Sequence, residues 1–123
     1  MRSASDDTKG LLSKYSRVSA DLTGVSADQL RDAEMLGGLL IAAAGAAGFN
    51  SLGIPAVRRR PDGACDVALL LDESHLVVHA LPDQGLLVLD LFAPASHDLN
   101  KALDVITRRL NPTTVHAESR KRG

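Results

Sequence analysis

The middle of the chain holds three apolar segments joined by very short polar segments, and this arrangement limits the folds that it can adopt. The apolar segments span residues 65–71, 75–81 and 86–92, and three or four residues separate each from the next. Joints of this length connect antiparallel neighbours in a sheet, whereas parallel neighbours need a crossover of a dozen or more residues. The sequence therefore predicts a largely antiparallel sheet in this part of the chain.

Segments on either side of this block extend the prediction to a two-layer α/β sandwich. Hydrophobic alternation predicts a strand over 15–22, and a further strand that ends in basic residues is predicted over 53–60. Helical periodicity predicts one helix from residue 27 or 32 to residue 47 and a second helix over 96–110. The order β-α-β-β-β-β-α predicts a sheet with two main helices on one face.

The composition of the 123 residues is typical of one globular domain and argues against several classes of protein. Hydrophobic residues make up 45% and charged residues 24%, and the net charge of −1 argues against a general nucleic-acid surface. The longest apolar stretch, residues 35–49, is shorter than a membrane span, which needs about 20 residues. The single cysteine, Cys65, excludes an internal disulfide and fits a reducing compartment. We expect a cytoplasmic protein without nucleic-acid or membrane partners.

The two ends of the chain differ in composition from the block between them. Residues 1–12 carry Ser, Asp and Lys without a period, and we expect them to be disordered. Residues 112–123 are polar and basic, and we expect them to form a tail. The sequence therefore predicts one folded domain over residues 13–111.

The joint between the first two apolar segments has an unusual composition for a turn. Asp72, Glu73 and Ser74 occupy it, His75 and His79 follow, and the common turn formers Gly, Asn and Pro are absent. On a strand the two histidines would be about 13 Å apart, too far for one metal ion, so no metal site is expected. From these residues alone, Ser74 is expected to carry a solvated turn hydroxyl. A tight turn without glycine can also hold a strained peptide bond near a nucleophile, and the resemblance described next implies that role for Ser74.

This part of the chain resembles the self-cleavage region of the bacterial and archaeal S-adenosylmethionine decarboxylases. It has a Glu-Ser-His motif at 73–75, a second histidine at His79, a Pro-acid-x-Gly turn at 82–85 and a strand that contains Asp90. Weaker similarity to that family extends over residues 15–110. The resemblance implies the same two-layer α/β sandwich that the pattern of elements predicts.

The resemblance also implies that the chain makes its own cofactor. The Ser74 hydroxyl would attack the carbonyl of Glu73, the chain would split into 1–73 and 74–123, and Ser74 would become a pyruvoyl group. A pyruvoyl carbonyl forms a Schiff base with a substrate amine and accepts electrons when carbon dioxide leaves. His79 would serve the proton transfers of processing, because an imidazole titrates near neutral pH. The implied protein is a pyruvoyl-dependent decarboxylase of polyamine biosynthesis that forms a homodimer of processed protomers.

The chain departs from the family's pattern at the position of its proton donor. Pro94 stands where the family has a cysteine that supplies a proton after decarboxylation. Ser96, His97 and Cys65 are the candidates to replace that cysteine. His75 has either a structural or a functional role.

Further departures concern the substrate. The aromatic residue that stacks on adenine in the family falls near Arg60, and a serine that assists processing falls at Asp66. The site is thus expected to have lost rings and to have gained carboxylates at Asp66 and Asp72, which would suit an ammonium or guanidinium group. The substrate is therefore expected to be S-adenosylmethionine or a basic amino acid, L-arginine or L-ornithine. Arg60 would bind a substrate carboxylate or a second subunit, unless it belongs to a solvated strand edge.

The same departures leave a second class of function open. A relative that has lost the proton donor could act without catalysis, as a binding or regulatory partner of a true decarboxylase.

Overall fold

The computed structural model describes residues 14–50 and 53–121 of the chain. These two ranges contain six strands, three α-helices and one 3-10 turn. In chain order these are β1 (Tyr15–Thr23), α1 (Ala27–Arg31), α2 (Ala33–Ala46), β2 (Ala56–Arg59), β3 (Cys65–Leu71), β4 (Ser74–Leu81), the 3-10 turn Pro82–Gln84, β5 (Leu86–Pro94), α3 (Leu99–Leu110) and β6 (Thr114–Lys121).

All six strands form one sheet in the order β2-β3-β4-β5-β1-β6. Every pair of neighbours is antiparallel. The short joints of the central block produce this arrangement, because β3, β4 and β5 follow one another both in sequence and in the sheet. The predicted fold class, an antiparallel sheet covered by helices on one face, is confirmed.

One face of the sheet is buried beneath the helices. The helix α2 packs on β3, α3 packs on β1, and the short α1 packs on β4. Alternate side chains of the strands point into this layer because successive residues of a strand face opposite sides. The buried strand residues include Val18, Ala20 and Leu22 of β1, Val67 and Leu69 of β3, Leu76 and Val78 of β4, and Leu87, Leu89 and Leu91 of β5. The opposite face of the sheet is open and carries most of the polar strand residues.

The first predicted helix is divided in two at Asp32. Ser26 caps α1 by accepting a hydrogen bond from the backbone N–H of Gln29. Asp32 ends α1 and caps α2, since its carboxylate accepts a hydrogen bond of 3.0 Å from the N–H of Met35. Both starting points considered from sequence, residue 27 and the neighbourhood of residue 32, are therefore real helix starts. Within the described ranges, no helix has the length and apolar character needed to cross a membrane.

The prediction of a tail after residue 111 is wrong over most of its length. Residues 114–121 form β6, which pairs with β1 from Ser16–Lys121 to Thr23–Thr114. The side chains of β6 from Thr114 to Arg120 are exposed, and even the apolar Val115 is 45% exposed, so no buried face reveals the strand in the sequence. Its pairing with β1 uses the backbone, which any of these residues can supply, and the hydroxyl of Thr114 also bonds that of Thr23. The predicted disorder of residues 1–12 concerns a segment outside the described residues.

Candidate active site

The joint between β3 and β4 is a two-residue turn. Leu71 and Ser74 are cross-strand partners, so only Asp72 and Glu73 lie between the strands. Glu73 has φ of 58°, in the left-handed region. That region costs a residue with a Cβ roughly 1–2 kcal/mol relative to its preferred conformations. The backbone strain considered from sequence is thus present at the residue before Ser74.

Ser74 is held against this turn. Its hydroxyl donates a hydrogen bond of 3.2 Å to the backbone carbonyl of Asp72. The residue is buried, with 7% of its surface exposed. A buried hydroxyl bound inside its own turn differs from the freely solvated serine that the tripeptide alone would also permit.

A cleft of about 600 Å³ opens beside Ser74. It is formed by the turn, the ends of β1 and β3, and the strand β5. The lining residues are Tyr15, Arg17, Leu70, Leu71, Glu73, Ser74, His75 and Phe92. Its size is within the range of small-molecule sites in proteins.

Three rings line this cleft, and they correct the expectation that the site lacks them. The ring of Phe92 stacks on Tyr15, with centroids 5.2 Å apart, and on His75, with centroids 5.5 Å apart. The guanidinium of Arg17 lies 5.8 Å from the centroid of Phe92. Sequence reasoning missed this group because its members are far apart in the chain. The strand register brings them together, because Phe92 is the cross-strand partner of both Arg17 and His75.

Asp90 links two of the basic groups at the cleft. Its Oδ2 atom lies 3.4 Å from Nε2 of His75, and its Oδ1 atom lies 3.2 Å from Nε of Arg17. Nε of Arg17 is buried, and its approach to Asp90 lacks the angle of a hydrogen bond, so charge rather than hydrogen bonding holds this pair. Asp90 thus orients His75 on one side and is itself neutralised by Arg17 on the other.

A second polar cluster lies at the other end of β4, on the open face of the sheet. Asp66 and His79 are cross-strand partners, and Nδ1 of His79 is 2.8 Å from Oδ1 of Asp66. The same oxygen accepts a hydrogen bond of 3.2 Å from Nη2 of Arg60. The structure therefore brings together three of the residues singled out from sequence, and it leaves Asp66 with two basic partners already.

The structure does not bring His79 to Ser74 within one chain. Five strand steps of about 3.3 Å place the two residues roughly 16 Å apart along β4. Because their separation is odd, their side chains also leave the strand on opposite sides.

The residues considered as replacement proton donors are also placed away from the cleft. Cys65 lies under the helices with its thiol 3.5 Å from the carbonyl of Leu30, and burial raises its pKa, which nearby Arg59 and Arg60 only partly offset. The ring of His97 stacks on Phe49 at 3.8 Å, and its Nδ1 donates to the carbonyl of Ala47. Neither residue lines the Ser74 cleft, and the same is true of the exposed Ser96. Asp72 is exposed in the turn, where its backbone, not its carboxylate, contacts Ser74.

Comparisons with known proteins agree with the resemblance seen in the sequence. Residues 16–123 match the model of a family described as S-adenosylmethionine decarboxylase. A protein of Brevibacillus brevis named S-adenosylmethionine decarboxylase proenzyme is 37% identical over 107 residues, which cover 86% of this chain and 80% of that protein. A protein of the same name from Aquifex aeolicus is 32% identical over 105 residues, covering 85% and 77%.

A comparison of folds points to the same family. A crystal structure of the adenosylmethionine decarboxylase from Aquifex aeolicus has a TM-score of 0.78 and 25% sequence identity, covering 89% of this chain and 90% of that chain. The family match, the identity to these relatives and the shared fold lead to one conclusion. This chain belongs to the S-adenosylmethionine decarboxylase family.

Proposed function

We propose that this chain is a self-processing, pyruvoyl-dependent decarboxylase whose reactive group forms from Ser74. The observation that carries the proposal is the strained turn: Glu73 has a positive φ, and the buried Ser74 hydroxyl follows it directly beside an open cleft. The printed name of the relatives, proenzyme, supports a processing step. When formed, a pyruvoyl group supplies a carbonyl that accepts electrons from a bound amine substrate.

The sheet topology suits a chain that is cut at this bond. The fragment 1–73 would keep β1, β2 and β3, and the fragment 74–123 would keep β4, β5 and β6. In the sheet order β2-β3-β4-β5-β1-β6, β4 and β5 of one fragment lie between β3 and β1 of the other, and β6 pairs with β1, so the two fragments interleave. The fragments would therefore stay joined by backbone hydrogen bonds and a shared core after cleavage.

Among the substrates considered, S-adenosylmethionine fits the cleft best. The rings of Tyr15 and Phe92 offer faces for a base and for a positively charged sulfonium. The carboxylate of Asp66, on which a preference for arginine or ornithine partly depends, is already engaged by His79 and Arg60. The relatives' names refer to the same substrate. Carbon dioxide release from labelled S-adenosylmethionine, L-arginine and L-ornithine compares the three directly.

Intact mass spectrometry tests the processing step. We expect two fragments separated between Glu73 and Ser74, and a single full-length chain for Ser74→Ala. Ser96→Ala, an exposed serine outside the cleft, is the matched control and should cleave normally. A wild-type chain that stays whole would refute the proposal. Cleavage without carbon dioxide release from any of the three substrates would favour a binding or regulatory relative instead.

We further propose that the active form is a homodimer in which His79 serves the Ser74 of the other protomer. Within one chain the two residues are too far apart to meet, as described above. A two-fold axis that stacks the open sheet faces would bring His79, which is exposed on that face, toward the β3–β4 turn of the partner, where the cleft beside Ser74 opens. Leu70, which is 71% exposed on this open face, would become less exposed to solvent in such a dimer.

Mixing two inactive variants tests this arrangement. His79→Ala alone should cleave slowly or not at all, whereas its co-expression with Ser74→Ala should restore cleavage of the chain that carries His79→Ala. His116→Ala, an exposed histidine on β6, is the control and should cleave normally. A His79→Ala chain that cleaves at the wild-type rate alone, or that Ser74→Ala cannot rescue, would contradict the shared site.

A further inference from the structure

The proposed reaction needs a proton that none of the replacement donors considered from sequence can supply within the chain. Loss of carbon dioxide leaves an electron pair on the substrate carbon, and a proton must be delivered to that carbon to complete the product. The donor must line the cleft beside Ser74. Cys65 and His97 do not line it, and Pro94 has no proton to give.

The cleft itself offers a short set of groups that carry exchangeable protons. They are the phenol of Tyr15, the guanidinium of Arg17, the carboxyl of Glu73 and the imidazole of His75. Near neutral pH a phenol and a guanidinium hold their protons, and a carboxyl has ordinarily lost its own. An imidazole can both hold and release a proton in that range, which makes it the common general acid of enzymes.

The surroundings of His75 suit a general acid. Its ring is stacked on Phe92 and its side chain is 30% exposed, so it is oriented yet reachable from the cleft. Nε2 faces the carboxylate of Asp90 at 3.4 Å, and this contact fixes the direction of the ring. With Nε2 directed at Asp90, Nδ1 is the nitrogen left to give a proton to a substrate.

We propose that His75 donates the proton that replaces carbon dioxide on the substrate. This inference rests on the proposed decarboxylase function. The N–H bond at Nδ1 breaks, a C–H bond forms with the electron pair left on the substrate carbon, and the neutral imidazole takes up a new proton from solvent. Asp90 is a positioning residue that orients the ring of His75, and Arg17 in turn holds Asp90.

The charged and titratable groups around His75 come from each neighbouring element. Asp90 lies on β5, Arg17 and Tyr15 on β1, and Glu73 in the adjoining turn. The β3 residue opposite His75 is the apolar Leu70. Asp90 is thus the acidic partner in contact with the ring, and its removal should leave the ring without the group that orients it.

The first test replaces His75 with asparagine and uses S-adenosylmethionine as substrate. His75→Asn should still cleave between residues 73 and 74 by intact mass, but kcat should fall by about 100-fold or more, with KM changed only a few-fold. His97→Asn, a histidine outside the cleft, is the control and should keep wild-type kcat.

A second readout follows the fate of residue 74 rather than the rate. If no donor protonates the substrate carbon, the proton can add to the carbon of residue 74 instead. The substrate nitrogen then stays on residue 74, which becomes alanine, and the substrate leaves as an aldehyde with oxygen from water. N-terminal sequencing after turnover should read alanine in His75→Asn and a blocked terminus in the wild type.

Asp90→Asn gives an independent test that keeps His75 in place. We expect a fall in kcat of about 10-fold with KM changed only a few-fold, and some conversion of residue 74 to alanine during turnover, because the imidazole loses the carboxylate that orients it. Wild-type kcat together with a terminus that stays blocked in Asp90→Asn would overturn the proposal even if His75→Asn failed to cleave. Wild-type kcat in cleaved His75→Asn, or a comparable loss in Tyr15→Phe alone, would also overturn it. A wild-type chain that never cleaves would instead refute the underlying decarboxylase function.

Discussion

Leu71 and Ser74 are cross-strand partners at the end of β3 and the start of β4, so the bond that we propose is cleaved lies in a two-residue turn. The tightness of the turn places Glu73 in the left-handed region with φ of 58°. Glu73, whose carbonyl would be attacked, is thus held in an unfavourable backbone conformation in the uncut chain. Cleavage after Glu73 would relieve this strain.

Replacing Glu73 with glycine should stabilise the uncut chain and slow its cleavage. In a Ser74→Ala background, Glu73→Gly should raise the free energy of unfolding by about 1 kcal/mol, because glycine adopts positive φ without a Cβ clash. In the Ser74 chain, the cleavage rate measured by intact mass should fall. Asp72→Gly is the control, since Asp72 does not share the positive φ. Equal stabilisation by Asp72→Gly would contradict the assignment of strain to Glu73.

Substitutions of two adjacent leucines of β3 should differ in their effect on stability, because one leucine lies in the core and the other on the open face. Leu69 is fully buried beneath the helices, whereas Leu70 is 71% exposed on the other side. In a Ser74→Ala background, Leu69→Ala should lower the free energy of unfolding by about 2–5 kcal/mol. Leu70→Ala should change it by less than about 0.5 kcal/mol at concentrations where the chain is monomeric. Urea unfolding measures both, and similar costs for the two variants would contradict the assignment of faces.

Burial of the Cys65 thiol should make the free energy of unfolding depend on pH in the alkaline range. Burial raises its pKa, so the folded chain keeps this proton at a pH where the unfolded chain has lost it. The stability that the protonated thiol contributes is fully present below about pH 8.5, the ordinary pKa of a free cysteine. It is lost as pH rises through the raised pKa of Cys65. Unfolding free energies of wild type and Cys65→Ala should therefore converge or cross as pH rises. A constant difference from pH 7 to 10 would count against this prediction.

Removal of β6 should expose an edge of the sheet. Without residues 114–123, β1 would lose its partner along Ser16–Thr23 and present unpaired backbone groups to solvent. We expect a lower free energy of unfolding and concentration-dependent aggregation, measured by urea unfolding and light scattering. Removal of residues 122–123 alone is the control and should leave both unchanged. A stable, monodisperse chain without 114–123 would show that β6 is dispensable.

Local patterns were enough to predict most elements of the fold. The strand Cys65–Leu71 has the predicted bounds, and β4 and β5 each differ from prediction by no more than two residues. Apolar runs bounded by polar turns carry that information within a few neighbouring residues. Residues 114–121 lacked such a pattern, since the side chains from 114 to 120 are exposed, and the place of the strand in the sheet depends on the backbone of β1.

The sequence by itself determined the position of the Ser74 junction, the antiparallel two-layer fold and the resemblance to the decarboxylase family. Only the tertiary structure decided which side chains surround Ser74 and which do not. Strand register joins Tyr15, His75 and Phe92 in one cleft although they are distant in the chain. Strand length and the two-residue alternation of strand faces separate His79 from Ser74 although only four residues lie between them. Strand register, and the side of the sheet on which each side chain lies, arise from the pairing of whole strands. No local stretch of sequence contains this information.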